Sequence, residues 1–341
     1  MTAPQAQATS IPRFIVGMSR AGTTWLSKCL NEHPEAAVFG ETAFFGRGYV
    51  EPNSHGLYDS HHLQRVRGWL GDCRWIRQMT TPGPGALKHI TLESLPRMMD
   101  AVFAEVQPPI APADLFQRIC RAVASAEGKS IVIEKTPHHV NWIDRILAAM
   151  PMARFVIMLR DPYSFMLSYK HQGDRKANEV RKRFAMRYHP FGCAIVWRGS
   201  MRAASAAVAG QPRHALLVRF EDIATHPWDE LNRVLEFLQF KPAELAGRVP
   251  ADNTSFPEGD RPALRGDDLF WMNLLARREI RQYGTRLQRS PREPLRVIWS
   301  IIVLPFWAIR NLLDLRKIIA GPMWRYLWRW IAPADGRGLP E

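Results

Sequence analysis

The sequence predicts an α/β fold of the P-loop-like, three-layer type, with a central parallel sheet flanked by helices and a C-terminal amphipathic helical tail. Four short segments rich in branched residues are apolar throughout, as expected for strands buried on both faces of a parallel sheet. Helix-compatible stretches separate them. The first segment runs into a glycine loop and two others run into polar clusters, where parallel strands place functional groups. The predicted strands are Phe14–Met18, Ile131–Glu134, Phe155–Leu159 and Leu216–Phe220.

Two helix starts are predicted from residues that cap helices. Thr23 and Thr24 precede the apolar-periodic run WLSKCL. Thr136 followed by Pro137 fits an N-cap and the first helical position. Each helix is therefore expected to begin directly after a strand.

Composition divides the chain into three predicted parts. Residues 1–10 are polar and are expected to be disordered, whereas residues 11–290 form the main domain. Within that domain, residues 46–130 have the Pro and Gly punctuation and the amphipathic pieces of a helical insertion. A second loop-rich region covers residues 253–267. Residues 291–341 form a basic, tryptophan-rich helical tail.

The bulk composition limits the classes of partner. A chain of 341 residues with 46% hydrophobic residues is long enough to bury a large core. The net charge is +14, and residues 277–341 carry 13 basic against five acidic residues. This uneven distribution argues against a surface that is basic all round and binds nucleic acid. It favours one basic face or tail that meets anions, most simply lipid headgroups.

The cysteines and the N-terminus indicate a reducing compartment. The cysteines lack the CxxC pairs of zinc sites and the density of a disulfide framework, so we expect reduced thiols and no metal. MTAPQAQATS has no apolar core of a signal peptide, so the expected location is cytoplasmic. The four cysteines are Cys29, Cys73, Cys120 and Cys193.

The tail is predicted to lie on a membrane and not to cross it. Its uncharged run, residues 297–309, is shorter than the roughly 20 residues of a spanning helix, and Pro305 is expected to break it. Tryptophan and arginine then alternate, as in helices of the headgroup layer. We therefore expect residues 295–331 to contact the inner face of the membrane as a peripheral anchor. The alternative is a hairpin packed on the domain or buried in a dimer. The residues concerned are Trp324, Arg325, Trp328, Arg329 and Trp330.

The glycine loop at residues 17–24 reads GMSRAGTT and has the GxxxxG frame of a phosphate-binding loop. Backbone N–H groups and the following helix dipole favour an anion there. The alternative is a simple tight turn. Nucleoside triphosphatases need lysine after the second glycine, where this chain has Thr23, and no acidic magnesium ligand is evident. A phosphate-bearing donor other than a nucleoside triphosphate is therefore expected.

At this point a family resemblance becomes specific. SRAGTTWL resembles the 5′-phosphosulfate-binding loop of the PAPS-dependent sulfotransferase superfamily, where PAPS is 3′-phosphoadenosine 5′-phosphosulfate. The continuation CLNEHPEAAVFGET is similar to the tyrosylprotein sulfotransferase branch and related bacterial enzymes. FVIMLRDPYSFMLSY resembles the 3′-phosphate-binding element, with Arg160 and Ser168 at its two key places. The resemblance covers residues 11–45, 131–170 and 214–222.

The resemblance implies a set of cofactor-binding residues. Arg160 at a strand end suits bidentate binding of a phosphate, although alone it fits a salt bridge to Asp161 as well. The implied cofactor is PAPS, and no metal is implied. The implied cofactor-binding residues are Ser19, Arg20, Ala21, Gly22, Thr23, Thr24, Arg160 and Ser168.

The resemblance also implies three catalytic residues. Glu41 falls where the tyrosine-modifying branch carries its base, although it could instead cap a helix or pair with Arg47. Arg20 has an electrostatic role, because arginine does not donate its proton at ordinary pH. Lys135 resembles the family's second cation, and its alternative is a surface lysine.

Other polar residues give weaker signals. The neighbours His138 and His139 are expected to be partly solvated. Further candidates are Ser164 near the 3′-phosphate, Arg219 and Phe220 near the adenine, and Ser255 and Arg261 in a loop that closes over the cofactor.

Together these features predict an enzyme of the EC 2.8.2 type that moves a sulfuryl group from PAPS to a hydroxyl acceptor. The acceptor classes are a glycan, a lipid-linked molecule, a small molecule or a peptide tyrosine, and Trp69, Trp75 and Arg77 would suit several of them. Two alternatives stay open: a kinase with a degenerate P-loop, and a membrane-associated protein that binds a phosphorylated ligand without catalysis.

Overall fold

The computed structural model describes residues 11–71, 85–174, 176–243, 245, 262–289 and 292–316, with no side-chain description for residues 312–316. The predictions for the N-terminus, for Cys73, Trp75, Arg77, Ser255 and Arg261, and for the tail beyond residue 316 lie outside these ranges. The chain forms two compact units. The first comprises Met1–Met158, Ala207–Val218 and Asp222–Pro250, and the second comprises Leu159–Ala206, Arg219–Glu221 and Ala251–Glu341. The predicted domain boundaries stay a prediction.

A parallel sheet forms the centre of the first unit, which confirms the predicted fold class. The strand order is β2-β3-β1-β4-β5, and β1 pairs in parallel with both β3 and β4. Each predicted strand is present with ends within one residue of the prediction. The strands of the described residues are β1 (Arg13–Gly17), β2 (Ala36–Gly40), β3 (Ile131–Lys135), β4 (Arg154–Leu159) and β5 (Ala215–Arg219).

Strand β2 was missed in the sequence. Its residues AAVFG are all buried, and they pair in parallel with β3 so that Gly40 lies opposite Lys135. Two alanines and a glycine carry little strand propensity, and partners far along the chain stabilise the strand. This edge strand places the residue after Gly40 at the carboxyl end of the sheet.

Helices surround the sheet and fill the second unit. The α-helices of the described residues are α1 (Thr23–Asn31), α2 (Ser60–Gly71), α3 (Ser94–Ala104), α4 (Pro112–Glu127), α5 (Ile143–Ala149), α6 (Pro162–Lys170), α7 (Asn178–Arg187), α8 (Pro190–Gly210), α9 (Phe220–Thr225), α10 (Pro227–Phe237), α11 (Gly266–Leu275), α12 (Arg277–Tyr283) and α13 (Pro294–Arg316). A 3₁₀ helix, Pro137–Trp142, precedes α5.

Two helices cover the sheet where the site lies. Helix α1 packs against β1 and β2, and α4 packs against β2 and β3. Because the β1–β2 and β2–β3 crossovers run in opposite directions along the sheet, right-handed connections put α1 and α4 on opposite faces. On the α4 face, the buried Phe14 stacks on Phe116 and Phe155 at 5.6 and 5.2 Å. The stretch 46–130 therefore includes a helix that covers the sheet.

The two predicted helix starts differ from expectation in detail. Helix α1 begins at Thr23, and Gly22 is the N-cap in a left-handed conformation. Thr136 precedes a 3₁₀ helix and makes no capping hydrogen bond with its side chain. Its hydroxyl instead donates to Glu134, so side-chain chemistry competes with capping there.

Helix α13 corrects the expectation that Pro305 breaks the apolar run. The helix continues through Pro305 for 23 residues. A proline removes the hydrogen bond to the carbonyl four residues earlier, and the helix tolerates that loss at Pro305. None of the described helices combines the length and the apolarity that crossing a bilayer requires.

Candidate active site

The loop between β1 and α1 has the backbone shape of an anion site. Arg20 and Gly22 are both left-handed, with φ of 66° and 87°. Between them lies Ala21, which is fully buried. Left-handed residues in such an alternation turn neighbouring N–H groups toward one point. Burial lowers the pKa of the half-buried Arg20 below its usual value, but the guanidinium keeps its charge.

The first turn of α1 supplies further donors. The helical hydrogen bonds begin with the N–H of Leu26, which donates to the carbonyl of Gly22 at 2.9 Å. The amides of Thr23, Thr24 and Trp25 therefore have no acceptor within the helix, and they lie at the positive end of the helix dipole. Thr23 is buried, and Ser19 and Thr24 are half-buried.

Trp25 was missed in the sequence. Its side chain is 7% exposed, and its buried Nε1–H has no hydrogen-bond acceptor among the described residues. A buried donor without an acceptor needs an explanation, and the described residues do not supply one. The loop and the helix start by themselves fit a bound phosphate group.

Glu41 and Lys135 lie together at the carboxyl ends of β2 and β3. The Nζ atom of Lys135 is 2.6 Å from Oε1 of Glu41. The Lys135 side chain has no exposed surface, whereas that of Glu41 is 32% exposed. The surface-lysine alternative is therefore wrong. The structure gives Glu41 a partner in Lys135, and not the helix-capping role considered from sequence.

A second carboxylate, Glu134, holds the segment that follows Glu41. Oε1 of Glu134 accepts from the Thr42 backbone N–H at 3.2 Å and from its hydroxyl at 2.8 Å. Oε2 contacts Nδ1 of His139 at 3.0 Å, and Nε2 of that ring accepts from the N–H of Phe45 at 3.3 Å. The Thr136 hydroxyl accepts from the N–H of Ala43 at 3.1 Å. Residues 42–45 are thus tied to the end of β3.

The Glu134 cluster corrects the expectation of partial solvation for His139. His139 and Glu134 have no exposed side-chain surface. Burial alone would raise the pKa of Glu134, but His139 and the hydroxyls of Thr136 and Thr42 outweigh it and hold that pKa below its usual value. A glutamate at the end of an apolar strand was the signal in the sequence.

His138 is half-buried and electrostatically coupled to the site. Burial, together with the charge of Arg47, lowers the pKa of His138 to about 4, against an opposing contribution from Glu41. The ring is therefore neutral at physiological pH. A neutral imidazole can both donate and accept a hydrogen bond.

In the second unit, the residues after β4 form a hydrogen-bonded corner. The guanidinium of Arg160 lies 4.5 Å from the centre of the Phe220 ring, and the Arg160 carbonyl accepts from Nε1 of Trp197 at 2.9 Å. The Asp161 carboxylate caps α6 by accepting from the N–H of Ser164 at 2.9 Å. The capping of α6 is therefore the role that the structure gives Asp161.

Other predicted residues of the second unit surround this corner. Ser168 lies on α6 and is 2% exposed. The guanidinium of Arg219 lies 4.3 Å from the centre of the Tyr283 ring, whose hydroxyl donates to Glu221 at 2.6 Å. Arg160 and Arg219, predicted to lie at the 3′-phosphate and at the adenine, thus each lie over an aromatic ring. Among the described residues, no group of three or more His, Cys, Asp or Glu is arranged to hold a metal.

Comparisons with known proteins bear on the fold and on the family of the chain. The sulfotransferase domain of the Synechococcus PCC 7002 olefin synthase superposes with a TM-score of 0.54 at 16% identity, covering 83% of this chain and 99% of that one. This likeness shows the fold alone. "Nodulation protein NoeE" of Sinorhizobium fredii is 25% identical over 249 residues, covering 68% of this chain and 51% of that protein.

A second relative is the "Putative protein-tyrosine sulfotransferase" of Caenorhabditis briggsae. It is 23% identical over 229 residues, covering 67% of this chain and 65% of that protein. The chain thus spans about half to two-thirds of the length of these two relatives. Residues 12–243, more than half of the chain, match the model of the Sulfotransferase family. The resemblance seen in the loop and the strand ends is confirmed, and the chain belongs to the sulfotransferase family.

Proposed function

We propose that this chain transfers the sulfuryl group of PAPS to a hydroxyl group of an acceptor. Membership of the sulfotransferase family sets the reaction class. The contact between Glu41 and Lys135 is the observation that supports the proposal most. Lys135 ends β3, the strand next to the one that carries the phosphate loop, and Glu41 follows the edge strand β2 beside it. When bound, PAPS supplies the activated sulfuryl group.

Glu41 is the residue that we assign to the acceptor proton. Its side chain is 32% exposed, so a hydroxyl group can reach it. A carboxylate accepts hydrogen bonds through both oxygens. Because Lys135 contacts Oε1, the proton is assigned to Oε2. Proton removal of this kind contributes on the order of 10² to 10⁴ in rate.

Two cations provide the positive charge that sulfuryl transfer needs. Lys135 is fully buried, and a charge in a dry environment acts more strongly than one in water. Arg20 lies in the loop itself and acts as a fixed charge. The amides of the loop and of the first turn of α1 bind the 5′ side of the nucleotide. From the sequence, we assign the 3′-phosphate to Arg160 and Ser168.

The acceptor is proposed as a hydroxyl of a glycan, a lipid-linked molecule, a small molecule or a peptide tyrosine. The relative named as a protein-tyrosine sulfotransferase supports the peptide class.

We also propose that the protein works in the cytoplasm, as a peripheral protein on the inner face of the membrane. The exposed apolar residues of α13 support a membrane contact, and such a contact favours an acceptor carried by lipid.

The test uses PAPS with a labelled sulfuryl group and extracts of lipids, glycans, metabolites and tyrosine peptides. Wild-type protein is expected to label one class. Glu41→Gln is expected to keep its affinity for the desulfated nucleotide and to lose at least about 100-fold in transfer. Glu51→Gln, on an exposed carboxylate, is the matched control and should transfer normally.

Three outcomes would overturn parts of this proposal. Undiminished transfer by Glu41→Gln removes Glu41 as the base. Turnover of ATP with magnesium, together with no reaction of PAPS, establishes a kinase. Binding of the desulfated nucleotide without labelling of any extract establishes a protein that binds its ligand without catalysis.

A further inference from the structure

Among the described residues, the hydrogen bonds that tie helix α13 to the rest of the second unit lie along one of its sides. Ser300 is buried and accepts from Nε1 of Trp271 at 2.9 Å, while its carbonyl contacts Nε2 of His189 at 3.1 Å. Two turns later, Trp307 donates to the carbonyl of Arg187 at 3.2 Å. Residues seven apart lie on one side of a helix. The docked side is therefore the side of Ser300 and Trp307.

The opposite side of α13 is an uninterrupted apolar stripe. At 100° per residue, its six side chains fall within a sector about 100° wide, centred more than 90° from Ser300 and Trp307. Scattered apolar residues are normal on a surface, but a contiguous row marks an interaction site. The stripe consists of Leu295, Ile298, Trp299, Ile302, Phe306 and Ile309, which are 80%, 52%, 66%, 53%, 71% and 60% exposed.

A basic helix lies beside α13. Helix α7 has no buried residue, and it contacts α13 through Trp307 and through Arg310, whose guanidinium lies 3.0 Å from Sδ of Met186. Glu179, its acidic residue, pairs with Lys182 at 3.3 Å. Glu293, directly before α13, pairs with Arg296 of that helix. The exposed cations of α7 and α13 are Arg181, Lys182, Arg183, Arg187, Arg296 and Arg310.

We propose that the stripe of α13 and the basic helix α7 form one docking face for an anionic lipid bilayer. Apolar side chains enter the acyl boundary while arginine and lysine meet the phosphates of the headgroups. A second copy of this chain fits this face less well. A twofold interface would bring two copies of the same net basic face together, so that each face would meet like charge. The inference specifies the membrane contact proposed above and does not depend on sulfuryl transfer.

The test is flotation of the full-length protein with vesicles. One set contains phosphatidylcholine alone, and the other adds phosphatidylserine at about 30%. Wild-type protein is expected to float with the anionic set and much less with the neutral set. The double variant Trp299→Ser, Phe306→Ser is expected to lose at least about tenfold in partition coefficient, since two large apolar anchors are removed. Leu274→Ser, on an exposed leucine of α11, is the matched control and should float like wild type.

A charge variant tests the basic helix separately. Arg181→Gln, Lys182→Gln and Arg183→Gln together are expected to reduce binding to anionic vesicles by on the order of 100-fold, at about fivefold for each cation. Binding to neutral vesicles should not change. Binding of the desulfated nucleotide, measured on every preparation, reports folding and the cofactor site. A protein that floats but binds no nucleotide would contradict the proposed reaction and leave the docking face intact.

Three results would overturn the docking face. The first is wild-type protein that does not float with anionic vesicles. The second is a stripe variant that floats like wild type, which would also be seen if residues 317–341 carried the contact. The third is conversion of a dimer to a monomer by the stripe variant in sedimentation velocity, which would assign the stripe to a second copy of the chain.

Discussion

The ammonium of Lys135, which has no exposed surface, lies 2.6 Å from Oε1 of Glu41, whose side chain is 32% exposed. Solvent therefore reaches the pair from the glutamate side. The asymmetry means that removal of either partner has a different cost. Loss of Glu41 leaves a buried cation, whereas loss of Lys135 leaves a carboxylate that water can reach.

The first prediction is that Glu41→Ala destabilises the protein more than Lys135→Met. A buried pair that loses one partner is destabilised by about 3–5 kcal/mol, and we expect the lower end for Glu41→Ala because water reaches the gap. Lys135→Met fills the same space without a charge and is expected to cost about 1 kcal/mol or less. Urea unfolding measures both. Equal losses, or a larger loss for Lys135→Met, would contradict the asymmetry.

A second prediction concerns Glu134 as a positioning residue for Glu41. Glu134→Gln turns one of the two acceptor oxygens into a donor, which then faces either the Thr42 hydroxyl and N–H or the protonated Nδ1 of His139. We expect a loss of about 1–3 kcal/mol in the free energy of unfolding and a fall in kcat of at least about tenfold. The affinity for the desulfated nucleotide should not change.

Glu127→Gln provides the matched control for Glu134→Gln. Glu127 is another buried carboxylate, and it accepts from the backbone N–H groups of Lys88, His89 and Ile90 at 2.8, 2.9 and 2.7 Å. Its replacement is expected to destabilise the protein by a similar amount and to leave kcat nearly unchanged. If both variants lose kcat in proportion to stability, Glu134 has a structural role only.

Much of this site could be predicted from the sequence, because its parts are local. The glycine loop with Arg20 and the polar cluster with Lys135 are visible as runs of adjacent residues, whereas Glu41 follows the missed strand β2 and was assigned from the family resemblance. Long-range contacts were not visible. Glu41 and Lys135 are 94 residues apart, and β2 lacks strong strand formers. The role of Glu134 was also missed, because its partners come from two separate segments.

The third prediction is a loss of stability between pH 6.5 and about 4 that depends on His138. Burial and Arg47 lower the pKa of this histidine from 6.5 to about 4. Below pH 6.5 the unfolded chain binds a proton that the folded protein does not, so stability falls as the pH falls. Above pH 6.5 both states are neutral and the contribution is complete.

We expect His138→Gln to flatten this pH dependence by about 1–3 kcal/mol. Urea unfolding at several pH values between 7 and 4.5 measures it. The lowered pKa of Glu134 affects stability only below pH 4.5, the ordinary pKa of a glutamate. The contributions of His138 and Glu134 therefore fall in different pH ranges. The same slope in wild type and His138→Gln would show that the histidine does not carry the effect.

The fourth prediction tests how closely β2 must approach β3. A Cβ atom on Gly40 would lie 2.0 Å from the carbonyl oxygen of Lys135, which is backbone and cannot move aside cheaply. Gly40→Ala therefore has to push the end of β2 away from β3, and with it Glu41 away from Lys135. We expect a loss of about 2 kcal/mol or more in stability and a large loss of transfer.

Gly68→Ala is the matched control, because its Cβ meets nothing within 4 Å and an exposed helical alanine is favoured by roughly 0.5–1 kcal/mol. Urea unfolding and the transfer assay compare the two variants. Normal transfer by Gly40→Ala would mean that the reaction does not need the short distance between Glu41 and Lys135.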